Sequence, residues 1–235
     1  MAREELPKPK SVVWMGSSRI DLKTFPEDVQ AHIGYALYAA QCGAEYATVK
    51  ALKGFGSRSL LEIVASHESD TYRAVYTVRF KDAIYVLHAF QKKSKRGIAT
   101  PKPDMDLIRR CLQMQRVFTS KGGSDMAKNQ RKIDYEESSG NVFADLGLPN
   151  PEQELLKANL TVQIFRAIKA RKLTQAKAGK ILGIPQPHVS DLMRGRARAF
   201  STERLMQFLS ALGHDVEIRV KKTRKEHGQV SVVAA

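Results

Sequence analysis

The sequence predicts an α+β domain, an antiparallel sheet packed on helices, followed by a mainly α domain with a C-terminal strand. Three observations predict it. Runs rich in β-branched and aromatic residues crowd positions 60–90. Apolar residues recur at helical spacing across 150–212. Between them, TSKGGSDMAKNQRKIDYEESSGN (119–141) has the polar, Gly/Ser-rich composition of a linker. A chain of 235 residues has room for two domains. The expected division is 1–118, a linker at 119–141, a domain at 142–222 and a tail at 223–235.

In the first domain, residues 1–11 read as a loose arm and SVVW (11–14) as a short strand. From Phe25 the pattern turns helical. Val29, Ile33, Ala36, Leu37 and Ala40 share one face, Pro26 suits the first turn and Gly43 stops the helix. Residues 44–52 are expected to hold another helical turn, closed by Gly54 and Gly56. LLEIVAS (60–66), TYRAVYTV (71–78) and AIYVLHAF (83–90), joined by HESD and KDA, suit an antiparallel meander. Alternation puts Arg73, Val75 and Thr77 on one face of their strand. It groups Val86, His88 and Phe90 on the next, with Lys92 just beyond. KKSKRGIATPKP (92–103) is a basic loop, and 105–118 reads as an amphipathic helix.

In the second domain Asn150 is the expected N-cap and Pro151 the first helical residue. Leu156, Leu160, Ile164 and Ile168 recur every four residues. Two short helices follow within 174–194. Ser201 caps a last helix carrying Leu205, Phe208, Leu209 and Leu212, ended by Gly213. DVEIRV (215–220) alternates, with Val216, Ile218 and Val220 on one side. A lone strand needs a partner.

Charge narrows the function. The chain holds 39 Lys/Arg against 24 Asp/Glu, a formal net charge of +15. The excess is shared, with 19 against 12 in residues 1–120 and 20 against 12 in 121–235. So basic a chain attracts polyanions, nucleic acid first. With 43% hydrophobic residues it still buries real cores. Cys42 and Cys111 are too few for a disulfide framework or a four-thiolate zinc site, and free thiols suit a cytoplasmic setting. No apolar run approaches the roughly 20 residues that span a bilayer. No metal, phosphate-loop or dinucleotide motif stands out, and no cofactor is expected; HESD (67–70) is weak as a metal cluster.

LTQAKAGKILGIPQPHVSDLMRGR (173–196) carries the most specific pattern. Thr174 caps a helix with Ala178 and Leu182 inward. Gly183 permits a sharp turn and Ile184 plugs it. A second helix from Gln186 to Arg194 turns Val189 and Leu192 inward and Gln186, His188 and Ser190 outward. That is helix-turn-helix geometry, in which the second helix enters the major groove N-terminus first. Gln186 can read adenine, while His188 and Ser190 can bond base edges or phosphate. Arg194, Arg196 and Arg198 sit where phosphates would lie, and Gln175 can anchor its helix to the backbone. The block resembles the Cro/lambda-repressor-like (XRE) helix-turn-helix family through "LTQ", "LGI" and "VS-L--G", departing at Pro185 and Pro187. With "GNVFADLGLP" (140–149), residues 138–222 resemble the HigA antitoxins. The resemblance implies operator DNA as partner, dimerisation through 215–220, and toxin binding by 126–150.

Residues 12–118 resemble the HigB toxins of the RelE/ParE superfamily. LLEI (60–63), YRAVY (72–76) and LHAFQKKSKRGIATP (87–101) carry the likeness. It implies cleavage of mRNA on the ribosome. Metal-free RNA cleavage needs a base for the 2′-OH, donors for the phosphorane oxygens and an acid for the leaving oxygen. Arg73 can clamp phosphate, Lys92 and Lys93 can depress one another's pKa, and His88 can shuttle the proton. Lys53, Arg58, Lys95 and Arg96 would hold the RNA backbone. Ribosome-dependent relatives use a tyrosine near the end of the domain. Here no Tyr lies between Tyr85 and Tyr135, so either Phe90 stacks on the base or activity is weak.

The sequence therefore reads as a type II toxin–antitoxin pair on one chain. A metal-independent endoribonuclease comes first, and an autorepressing antitoxin that neutralises it comes second. Met126, just after the linker's Gly/Ser run, suggests two joined reading frames. Asp134, Glu136, Glu137 and Asp145 are the expected acidic contacts between the halves. The alternatives are a repressor with a catalytically silent first domain, or a ParE-like gyrase poison.

Overall fold

The computed structural model describes residues 8–55, 60–77, 83–92, 100–120, 134–224, 228, 230 and 232, without the side chains of 116–120. These residues pack into two units. One joins 10–34 to 48–148; the other joins 35–47 to 149–235. The expected classes are present: a sheet with helices first, and a mainly helical region second.

The sheet unit holds six strands in the order β2-β3-β4-β5-β1-β6. These are β1 (Ser11–Met15), β2 (Val49–Ala51), β3 (Leu60–His67), β4 (Asp70–Thr77), β5 (Ala83–Lys92) and β6 (Tyr135–Glu137). β3, β4 and β5 form the expected antiparallel meander, with Glu62 opposite Val75 and Arg73 opposite Phe90. A register shift at Val75/Tyr76 leaves Leu87 without a partner on β4. Leu87 and the following His88 therefore lie on the same face. β1 runs parallel to β5, a pairing the period-2 pattern could not announce. Residues 44–52 hold β2 rather than the expected helical turn, because Val49 pairs with Ile63 and Ala51 with Leu61.

Helices cover the sheet. α1 (Ser18–Lys23) is anchored by Ser18 Oγ, which donates to the Val86 carbonyl at 3.1 Å. α2 (Glu27–Gln41) begins in this unit. α3 (Lys102–Ser120) brings Ile108 and Cys111 onto Val13, Met15, Leu60, Val75, Tyr85, Leu87 and Phe90. Burial pushes the Cys111 thiol pKa up, so it serves as a small apolar group.

Residues 134–148 complete this unit. β6 pairs antiparallel with β1, Val13 facing Glu137. α4 (Val142–Leu146) follows, capped by the Asn141 side chain. Two of the four expected acidic contacts form through their carboxylates. Glu136 meets Arg19 at 2.9 Å. Asp145, buried, accepts from Trp14 Nε1 at 3.2 Å and from Ser139 Oγ at 2.6 Å. Asp134 contributes only its carbonyl, to the Gly16 N–H.

The helical unit holds α5 (Pro151–Ala170), α6 (Gln175–Leu182), α7 (Gln186–Met193) and α8 (Thr202–Ala211). Thr174 and Ser201 cap α6 and α8 as expected, accepting from Lys177 and Arg204 N–H. Asn150 does not cap through its side chain; it takes a left-handed turn at φ 52° that starts α5. The expected strand at 215–220 is not formed: these residues hold no helix or strand and pair with nothing among the described residues.

Gly34 lies in α2 where a Cβ would stand 2.8 Å from the Phe143 ring of α4. Overpacking of this kind costs about 1–3 kcal/mol. Gly34→Val should therefore lower the unfolding midpoint, measured by thermal melting of the full chain. An unchanged midpoint would mean α4 does not seat there.

Candidate functional site

Two sets of predicted residues must be placed, one in each unit. In the sheet unit alternation turns Glu62, Arg73, His88, Phe90 and Lys92 to the face that α3 covers. Arg73 is 7% exposed and its Nη1 lies 2.6 Å from Glu62 Oε2. It also donates to Thr100 Oγ1 at 3.4 Å. The expected phosphate clamp is thus a buried ion pair. A guanidinium removed from water needs a counter-charge, and Glu62, one strand over, supplies it.

His88 is also buried. Its Nε2 lies 2.8 Å from Asp104 Oδ1, on the first turn of α3. Its ring stacks on Phe90 at 5.1 Å. Phe90 itself is 8% exposed and belongs to the apolar core, which corrects its expected role as an open stacking platform. Lys92 is half-buried at the end of β5 and Lys53 is exposed. Arg58, Lys93, Lys95 and Arg96 lie outside the described residues.

Sequence reading missed Glu62 and Asp104. Glu62 carried a signal, a lone acid inside the apolar run LLEIV. Once β3 and β4 are paired across the HESD turn, it falls diagonally from Arg73. Asp104 carried none, because its partner comes from another element. Among the described residues no group of three His, Cys, Asp or Glu is placed to hold a metal.

In the helical unit α6 and α7 bury Ala178, Leu182, Val189 and Leu192. Gly179 permits the tight packing, since a Cβ there would stand 2.8 Å from the Ile184 carbonyl. The turn falls at Gly183, φ 65°. Gln186 and His188 are exposed on the first turn of α7, and Ser190 and Gln175 are half-buried. Gln186 Nε2 lies 3.5 Å from Gln175 Oε1, so one amide orients the other. Arg194 and Arg196 are exposed, with Asp191 3.9 Å from Arg196. Arg198 is different. Its Nε pairs with Glu154 at 3.2 Å, so it braces the fold instead of offering its charge to phosphate.

Residues 142–221 match the family model described as a helix-turn-helix domain, and 20–113 match the one described as phage derived protein Gp49-like. Among solved structures the chain is similar to a protein assigned to the XRE family of transcriptional regulators. Identity is 40%, covering 37% of this chain and all of that one, with a TM-score of 0.35. No curated protein matches the chain.

The Arg73–Glu62 pair gives a direct expectation. Glu62→Ala leaves a buried guanidinium unpaired, a loss of about 3–5 kcal/mol. Replacing both partners, Glu62→Leu with Arg73→Met, should cost far less than the single change. Urea unfolding of the full chain reads both. Equal losses would show that the pair is not the reason for the burial.

Proposed function

Residues 142–221 match a helix-turn-helix family, and from that premise we propose that the chain is a type II toxin–antitoxin pair whose second half is an XRE-type regulator. The second half binds operator DNA and represses its own operon. The observation that carries this reading is the exposed first turn of α7, with Gln186 held by Gln175. Gln186 reads adenine in the major groove, His188 and Ser190 bond neighbouring edges or phosphate, and Arg194 and Arg196 hold the backbone.

Operator binding of this kind is dimeric. The alternating segment 215–220 supports a homodimer, since Ile218 is 75% exposed and Val220 92%. A second copy would supply the missing strand.

The first half is a metal-independent endoribonuclease acting on mRNA at the ribosome, in the cytoplasm. His88 is the proton carrier, with Nε2 engaged by Asp104 and Nδ1 left to take the 2′-OH proton. Lys92 and Lys93 meet the reacting phosphate, while Lys53, Arg58, Lys95 and Arg96 track the backbone. Arg73 joins them only when its pair with Glu62 opens. The antitoxin contact runs through 134–148, by way of Arg19–Glu136 and Trp14–Asp145.

One observation favours a second reading, a repressor whose first domain is silent. Arg73 and His88, the two central candidates, are both buried in ion pairs. Expression separates the readings. Residues 1–120 alone should arrest growth and cut translated mRNA, and co-expressed 126–235 should restore growth. Soluble, folded 1–120 with normal growth and intact mRNA would establish the silent reading.

The DNA half has its own test. Gln186→Ala should cost about 1–3 kcal/mol on the cognate site and little elsewhere, in a binding titration. If site preference survives that change, α7 is not the recognition helix. Arg196→Ala should instead weaken all duplexes alike and flatten the salt dependence.

A further inference from the structure

We propose that Tyr46 and Tyr35 are positioning residues for DNA binding: they fix the loop 194–198 that presents Arg194 and Arg196 to phosphate. The inference rests on the DNA-binding reading above and adds a dependence on residues far outside the helix-turn-helix segment.

The loop begins at Gly195, just after α7, with φ +75° and a buried backbone. A Cβ at this position would stand 2.6 Å from the Tyr46 ring and 3.5 Å from Tyr35 Cβ. Gly195 therefore packs directly on the Tyr46 ring and beside Tyr35, with no room for a side chain. Tyr46 is 1% exposed and meets Phe165 of α5 edge-on, at 5.2 Å and 81°. That contact holds its ring in place.

The other end of the loop is fastened as well. Tyr35 Oη donates to Glu154 Oε2 at 3.0 Å, and Glu154 Oε1 accepts from Arg198 Nε at 3.2 Å. Lys157 Nζ donates to the Arg198 carbonyl at 3.1 Å. Ala197 is fully buried. The fixed residues are thus 195, 197 and 198, and the exposed ones are Arg194 and Arg196.

This arrangement places the ordering cost in folding instead of in binding. An arginine on a preformed loop loses less freedom when it meets a phosphate than one on a loose loop. Tyr35 and Tyr46 come from residues 35–47, which pack in the helical unit although they precede it by more than a hundred positions. The grip on DNA is therefore conditional on a piece of the N-terminal half.

The Tyr46 hydroxyl has no hydrogen-bond partner among the described residues, so it is the ring that matters. This supplies a rescue variant. The probe is a duplex selected from a random pool by the full wild-type chain, and the readout is Kd against salt. Tyr46→Ala should weaken binding on the order of tenfold and lower the salt slope by about one, as loss of one arginine–phosphate contact does. Tyr46→Phe should bind as wild type. Tyr35→Phe keeps the ring and removes only the bond to Glu154. It should shift the slope in the same direction by less, and it serves where Tyr46→Ala does not fold.

A purely structural role gives a different result. Partial unfolding lowers the active fraction and leaves the salt slope unchanged. An unchanged slope in both Tyr46→Ala and Tyr35→Phe overturns the proposal. A wild-type chain that enriches no duplex overturns the DNA-binding reading itself, and this inference with it.

Discussion

Helix α2 has almost no solvent face, and both packed units depend on that. Residues 31–41 are all buried, and small residues alternate with large ones along them. The first part of α2, through Gly34, packs in the sheet unit, and its second part, from Tyr35, packs in the helical unit. The periodicity of Val29, Ile33, Leu37 and Ala40 describes only one stripe of such a helix. Tyr35 and Tyr38 mark the second stripe. Burial pushes both phenols well above their ordinary pKa, so neither ionises near neutrality.

The two units divide between Leu148 and Pro149, past the linker composition at 119–141. A boundary in covalent terms marks where the chain is polar. A boundary in packing terms marks where apolar surface runs out. Residues 134–148 are mostly short elements that cannot bury a core alone. They gain stability by adding β6 to the edge of β1 and by seating Phe143 on Gly34. Asp145 anchors the segment, since its carboxylate gathers donors from Trp14, Ser138 and Ser139. A buried carboxylate needs such a set of donors to offset its desolvation.

Local pattern made some of this legible. The meander appeared because β-branched runs alternated between polar turns. The helix-turn-helix appeared because Thr174, Gly183, Ser201 and the inward apolar residues each sit where local geometry demands their type. What depends on sequence-distant partners stayed hidden. The parallel β1–β5 pairing joins residues about seventy apart, and β2 is too short to show alternation. Arg73 and Arg198 looked alike as exposed cations, because sequence does not show that Glu62 and Glu154 meet them. Phe90 is both aromatic and core-sized, and only the register with Arg73 decides between surface and interior.

That difference between arginines bears on what the charge of +15 can do. A cation matched inside the fold contributes little field outside it. Arg73 and Arg198 are spent on Glu62 and Glu154, whereas Arg194 and Arg196 keep most of their charge in solvent. Of these four arginines, the two that keep charge available to a polyanion are the two beside α7. The loop that carries them is tied down at Gly195 and Arg198, so in the proposed reading its arginines would meet phosphate at a smaller ordering cost. Base contacts from a single α7 read only a few pairs, and two such helices held at one fixed spacing read a longer site. Val216, Ile218 and Val220 leave an exposed apolar stripe. In the proposed dimer this stripe is the contact that would set that spacing.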